Sequence, residues 1–129
     1  METVRILGTG SFVPPKVLNN FDLQKMGLDT TDEWIVQRTG VKERRIAEPD
    51  VTAADLAYKA SLKALDMAGM TARDMDLIIM GTITPDTCCP SGANWLEAKL
   101  GASQAVSFDI TAACSGYIFG LSVAEQYLK

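Results

Sequence analysis

The chain contains no histidine. Histidine is the usual acid–base group near neutral pH and the commonest metal ligand. Its absence leaves any acid–base step in this chain to other side chains. With only three cysteines besides, two of them the adjacent Cys88 and Cys89, a zinc site is poorly supported and no metal is expected. An odd cysteine count with such a pair is not a disulfide framework. It suits a reducing compartment, so a cytoplasmic location is expected. No apolar run reaches the ~18 residues of a membrane span. The N-terminus lacks the charged and apolar regions of a secretory signal. Nor is there a basic stripe: 12 basic against 16 acidic residues give a net charge of −4, which offers nucleic acid no electrostatic footprint.

What remains is a globular chain. Apolar residues make up 47% of 129, enough for one domain with a core, and residues 1–129 are read as a single domain without repeats, low-complexity tracts or linkers. Val4 to Leu7 reads as a first strand. Gly8-Thr9-Gly10 invites comparison with a dinucleotide fingerprint, but no third glycine follows. Pro14-Pro15 stands where the phosphate-binding helix should open, so these glycines are read as serving a turn or close backbone approach.

Asn20 is expected to cap a short helix through Met26, ended by Gly27, and Thr30 or Thr31 to cap the next. That helix carries Trp34 and Arg38 four residues apart, on one face. The pair suits a flat, phosphorylated ligand, since an indole stacks and a guanidinium pairs with phosphate; a half-buried tryptophan is the plainer alternative. Lys42, Arg44 and Arg45, interleaved with Glu43 and Glu48, read as a solvated surface.

Thr52 opens the clearest amphipathic helix, with Ala53, Leu56, Ala57, Ala60, Ala64, Leu65 and Ala68 at a 3.6-residue period and Gly69 as the stop. So many alanines predict a helix lying close against a sheet. Leu77 to Ile83 is a continuous apolar run, as a buried parallel strand requires. Thr84 to Pro90 is a loop. Ser91 caps a helix to about Leu100, ended by Gly101, and Ala105 to Ile110 forms another strand. The order predicts an α/β fold with a parallel sheet and crossover helices.

The chain is organised around Asp109-Ile110-Thr111-Ala112-Ala113-Cys114-Ser115-Gly116-Tyr117. A strand feeds a turn of small residues, then Cys114, then a long apolar helix from Ser115 to Lys129. A thiol at a helix N-terminus faces unpaired N–H groups and the positive end of the dipole, which favour the nucleophilic thiolate. Sites in parallel sheets lie beyond the carboxyl ends of the strands, where Cys114 would sit. The plainer reading is a small buried hydrophobe.

Thr9-Gly10-Ser11, Thr31-Asp32-Glu33-Trp34-Ile35, Arg38-Thr39-Gly40-Val41-Lys42-Glu43-Arg44 and the block from Asp109 to Gly116 stand in the order seen in the β-ketoacyl-acyl carrier protein synthases III. The chain resembles an N-terminal portion of these thiolase-fold enzymes, which initiate fatty-acid synthesis. The resemblance implies acyl transfer from acyl-coenzyme A to a cysteine, then decarboxylative condensation with malonyl-acyl carrier protein, in a homodimer. It implies no cofactor, acyl-coenzyme A being a substrate. Cys114 matches the acylated nucleophile, and its backbone N–H an oxyanion donor. Trp34 matches the residue that stacks on the coenzyme A adenine, and Thr30 and Arg38 match polar contacts to the same nucleotide. Cys89 falls in the loop that crosses the two-fold axis and closes the partner's acyl pocket.

Family members are longer and complete the site with a histidine and an asparagine from a second half. By resemblance, this chain lacks the last two strands of the first half and all of the second, and alone it is not expected to condense anything. Its last helix, apolar over most of its circumference, predicts an exposed apolar stripe, and Val4 to Leu7 would become a sheet edge. Two alternatives stand beside the initiating synthase. One is a relative with the same acyl-cysteine intermediate, of hydroxymethylglutaryl-coenzyme A synthase or polyketide type. The other is a non-catalytic interaction module.

Overall fold

A computed structural model describes residues 3–129. Within this span the chain forms two compact units. The larger takes in the N-terminal segment to Phe12 together with Thr52–Lys129, and the smaller is Val13–Val51.

The smaller unit contains β1 (Lys16–Asn19), α1 (Asn20–Lys25), α2 (Asp32–Thr39) and β2 (Glu43–Ile46). β1 and β2 pair antiparallel, with Lys16 opposite Ile46 and Asn19 opposite Glu43. The reading of Lys42, Glu43, Arg44, Arg45 and Glu48 as a solvated surface holds except at Arg44. Glu43, Arg45 and Glu48 do stay outside, forming the exposed Arg45–Glu43 and Lys16–Glu48 ion pairs. Arg44 turns inward, where its Nη2 donates to Asn20 Oδ1 at 3.0 Å.

Asn20 is not the cap of α1. Asn19 is: its side chain accepts from the Asp22 N–H at 2.9 Å, and the Asp22 carboxylate accepts the Asn19 N–H in return. Asn20 is the one fully buried polar side chain among the described residues. Its Nδ2 donates to Asp32 Oδ1 and to the Val41 carbonyl, both at 2.8 Å. One amide thus ties α1, the start of α2, the residue after Gly40 and β2 together. Thr31, the second of the two candidates, caps α2, and Gly40 ends it with φ of 72°. Only Ile35 of α2 is buried.

In the larger unit, α3 (Ala53–Ala68), β3 (Leu77–Gly81), α4 (Gly92–Leu100), β4 (Val106–Ile110) and α5 (Gly116–Tyr127) follow in order. α3 is closed at one end by a reciprocal Thr52–Asp55 capping box and at the other by Gly69, and α4 likewise by Ser91–Asn94 and Gly101. Each cap matches the sequence reading. β3 and β4 pair in parallel, Leu77 opposite Val106 and Gly81 opposite Ile110, with α4 in the connection between them. Ile78, Ala93, Leu96 and Ala102 make the buried core.

Val4 to Leu7 is not a strand. A strand exists only where a partner takes its ladder hydrogen bonds, and β3 pairs with β4 alone. The N-terminal segment runs along α3 instead. A Cβ on Gly8 would stand 2.2 Å from the Ala64 carbonyl oxygen, and one on Gly10 2.1 Å from that of Ala60. The two glycines therefore permit close backbone approach, and the alanines of α3 accept it. Lys63 Nζ donates to the Ser11 carbonyl at 2.8 Å, and Lys59 Nζ lies 4.6 Å from the Phe12 ring centroid.

α3 and α4 are joined by Lys99 Nζ and Asp55 Oδ1 at 2.7 Å. The Lys99 ammonium holds the Asp55 carboxyl well below the usual carboxylate range. The Thr52 backbone N–H and hydroxyl act in the same direction, and burial opposes them. The expected apolar stripe is present on α5, where Tyr117, Ile118, Phe119 and Tyr127 are all more than half exposed. No helix among the described residues is long and apolar enough to cross a membrane.

Candidate active site

β3 and β4 run side by side, so their carboxyl ends open on the same edge of the sheet. The loop from Thr82 to Pro90 leaves β3 there, and the turn carrying Cys114 leaves β4. The Thr82 N–H donates to the Ile110 carbonyl at 3.2 Å, which continues the pairing one step beyond the ladder.

Cys114 lies in a single 3₁₀ turn, Ala113–Ser115, directly before α5. Its side chain is exposed and its thiol free. This is the placement expected from the sequence, and among the described residues Cys114 is exposed rather than buried. Ala113 has φ of 45°, a left-handed conformation that is uncommon for a residue with a Cβ and is often found where a site holds backbone strain. Gly116, the first residue of α5, packs against Gly81 at the end of β3. A Cβ on Gly81 would stand 3.0 Å from the Gly116 carbonyl carbon, and one on Gly116 3.3 Å from Gly81 Cα. A side chain at either position would require α5 and the strand to give way by a few tenths of an ångström.

Asp109, the penultimate residue of β4, opens the block that carries Cys114. Its two carboxylate oxygens accept the Gly92 and Ala93 N–H groups at 2.8 and 2.7 Å. These are free amides of the first turn of α4. No local sequence signal shows the bond, because Asp109 lies 17 residues from Gly92.

Cys88 and Cys89 are exposed free thiols in the loop after β3. The loop is anchored on either side of them. Asp86 Oδ1 accepts the Ala54 N–H at 3.2 Å. The Thr87 hydroxyl donates to the Pro90 carbonyl at 2.6 Å and accepts from the Trp95 indole N–H at 2.9 Å.

In the smaller unit, α2 places Trp34 and Arg38 on one face. The Arg38 guanidinium carbon is 4.9 Å from the Trp34 ring centroid, within the range of a cation–π contact. Trp34 is 53% exposed, whereas Ile35 is buried. Thr30 stands two residues ahead of α2. Its hydroxyl is buried without a hydrogen-bond partner among the described residues, which is uncommon for such a group.

No family model matches the chain. Its fold is that of the thiolase-type condensing enzymes. A 3-oxoacyl-[acyl-carrier-protein] synthase III from Aquifex aeolicus superimposes with a TM-score of 0.89 at 46% identity, over 95% of this chain and 39% of that one. The priming β-ketosynthase of the R1128 polyketide pathway gives 0.87 at 39% identity, over 93% and 36%. In sequence the chain is similar to proteins named β-ketoacyl-[acyl-carrier-protein] synthase III. The protein of that name from Caldanaerobacter subterraneus subsp. tengcongensis is 53% identical over 124 residues, 96% of this chain. The chain spans 37% of that relative's length.

Proposed function

We propose that the chain carries the acylation half of an initiating condensing enzyme of fatty-acid synthesis. One observation carries the reading: an exposed thiol in a strained turn between the carboxyl end of a parallel strand and the start of a helix. The Cys114 thiolate attacks the thioester carbonyl of acyl-coenzyme A, and its backbone N–H donates to the oxyanion that forms. The tetrahedral intermediate collapses with loss of the coenzyme A thiolate, leaving an acyl-cysteine. Malonyl-acyl carrier protein then loses carbon dioxide, its carbanion attacks the acyl-cysteine carbonyl, and the Cys114 thiolate leaves. The family supplies that second step with a histidine and an asparagine from its second half, outside the span this chain matches.

Trp34, Arg38 and Thr30 fit the nucleotide end of coenzyme A. The exposed indole offers a face to adenine and Arg38 a charge to phosphate, while Thr30 is placed at the nucleotide by the resemblance, its hydroxyl being buried in this chain. No separate cofactor enters the reaction. The complete enzyme is a homodimer of the cytoplasm, a compartment that keeps Cys114 reduced.

Cys89, on the anchored loop after β3, faces the acyl pocket of the partner subunit in this reading. It is small where a bulky side chain would close that pocket, so the primer pocket is roomy. The likeness to a polyketide priming β-ketosynthase supports a second reading, in which the same acyl-cysteine serves a different product. Condensation assays of the complete enzyme with acetyl-, butyryl- and isobutyryl-coenzyme A test both. Activity with malonyl-acyl carrier protein that is lost in Cys114→Ser supports the reaction, and activity retained in that variant contradicts it. Strict acetyl preference, unchanged by Cys89→Phe, contradicts the pocket assignment. Inactivity of the wild type with every primer favours the interaction module.

A further inference from the structure

We infer that Asp109 is a positioning residue for the Cys114 turn, its carboxylate tying the end of β4 to the first turn of α4 and so fixing where the turn begins. The inference rests on the reading of Cys114 as the acylated nucleophile.

Asp109 stands five residues before Cys114 in the sequence, with one further strand residue between it and the turn. Both of its oxygens are engaged, on the adjacent Gly92 and Ala93 N–H groups. A two-point bond of this kind fixes direction as well as distance. α4 does not need Asp109 as its cap. Ser91 and Asn94 already form a reciprocal capping box, and the Asn94 side chain reaches on to Ser107 of β4. What Asp109 adds is the link from the helix to the last residues of the strand.

The link is tightly fitted. A Cβ on Gly92 would stand 2.9 Å from Met80 Sδ and 3.3 Å from Asp109 Oδ2, so the carboxylate, the strand pair and the helix start leave no spare room. At the other end of the turn, Gly116 is seated on Gly81. The intervening Ala113, at φ of 45°, holds a conformation that persists only where its surroundings over-determine it. Asp109 at one end and the glycine pair at the other supply that constraint. Releasing one end lets the turn relax and moves the thiol.

The test compares Asp109→Asn with Ser91→Ala in the complete enzyme. Asparagine offers one acceptor oxygen where two N–H groups need partners. Ser91→Ala weakens the local cap of the same helix and leaves the Asp109 link in place. Single-turnover acylation by labelled acetyl-coenzyme A is measured per folded molecule, alongside coenzyme A affinity. Asp109→Asn is expected to slow acylation of Cys114 by about tenfold or more, within the range that a small misplacement of a reacting group produces. Coenzyme A affinity should stay within about twofold, and Ser91→Ala should acylate at the wild-type rate. An unchanged rate in Asp109→Asn, or an equal fall in Ser91→Ala, overturns the inference and assigns Asp109 a structural role only. If Asp109→Asn does not fold, Asp109→Glu keeps both oxygens on a longer stem. Slowed acylation in a folded Asp109→Glu protein supports positioning, and a wild-type rate overturns it. A wild-type enzyme whose Cys114 takes no label overturns the nucleophile reading and this inference with it.

Discussion

The Arg38 guanidinium lies over the face of Trp34, 4.9 Å from the ring centroid, on an exposed side of α2. Helical spacing alone accounts for the meeting, since residues four apart share a face. The exposure of the ring is what sets the pair apart from a core tryptophan. If that ring stacks on adenine, Trp34→Ala in the complete enzyme weakens coenzyme A binding by about 1–3 kcal/mol, the range for base–aromatic stacking. Titration calorimetry with coenzyme A measures it. The carrier-protein substrate brings no adenine, and its apparent affinity is expected to change far less. Equal losses for both substrates would mark Trp34 as structural.

Asn20 is the buried joint of the smaller unit, with its amide bonded to Asp32, Val41 and Arg44. Asn20→Ala leaves a carboxylate, a carbonyl and a guanidinium short of a partner at once. These partners are part-buried and water can reach some of them, so the substitution is expected to destabilise by about 1–3 kcal/mol in denaturant titration of the complete enzyme. Asn20→Asp keeps the acceptor for Arg44 but turns a donor toward Asp32 into a like charge, and it too should destabilise. A change in either variant no larger than that of a surface substitution would contradict the role given to Asn20.

Asp55 and Lys99 make a pH prediction whose sign is fixed by their shifts. The Asp55 carboxyl is held below its ordinary value, first by the Lys99 ammonium and then by Thr52. Its stabilising contribution is therefore complete above the unfolded value of about 4 and is lost as pH falls through the lowered native value. Lys99 is raised, chiefly by its bond to Asp55. Its contribution is complete below about 10.5 and is lost as pH rises through the raised native value. Thermal melts of wild type and Asp55→Asn between neutral and acid pH test the first limb. The difference in Tm between them is expected to shrink as pH falls below about 4. A difference that is constant with pH would contradict the ion pair.

The parts of the fold legible in the sequence were those fixed by local signals. Thr52 and Ser91 announce helix starts, and Gly69 and Gly101 announce stops. The run from Leu77 and the Asp109 to Gly116 block gave the parallel pair and the position of Cys114. Non-local partnerships were not legible. Val4 to Leu7 has the composition of a strand, but composition cannot supply the neighbour a ladder needs, and the segment lies along α3. Asn20 looked like a cap because asparagine caps helices, while its side chain is committed to residues 12 to 24 positions away. Arg44 looked solvated because its neighbours are charged, yet β-strand alternation turns it inward. Asp109 sits in the most distinctive motif of the chain, and only the fold reveals that its partner is α4.

The central claim is that Cys114 alone among three exposed thiols accepts the acyl group. Peptide mapping by mass spectrometry of the complete enzyme, after brief incubation with labelled acetyl-coenzyme A, tests it directly. In this chain Cys88, Cys89 and Cys114 are all exposed, so exposure here does not single out Cys114. The account predicts label on the peptide containing Cys114, none on the peptide containing Cys88 and Cys89, and no label anywhere in Cys114→Ser. Label on Cys88 or Cys89 with Cys114 bare would contradict it.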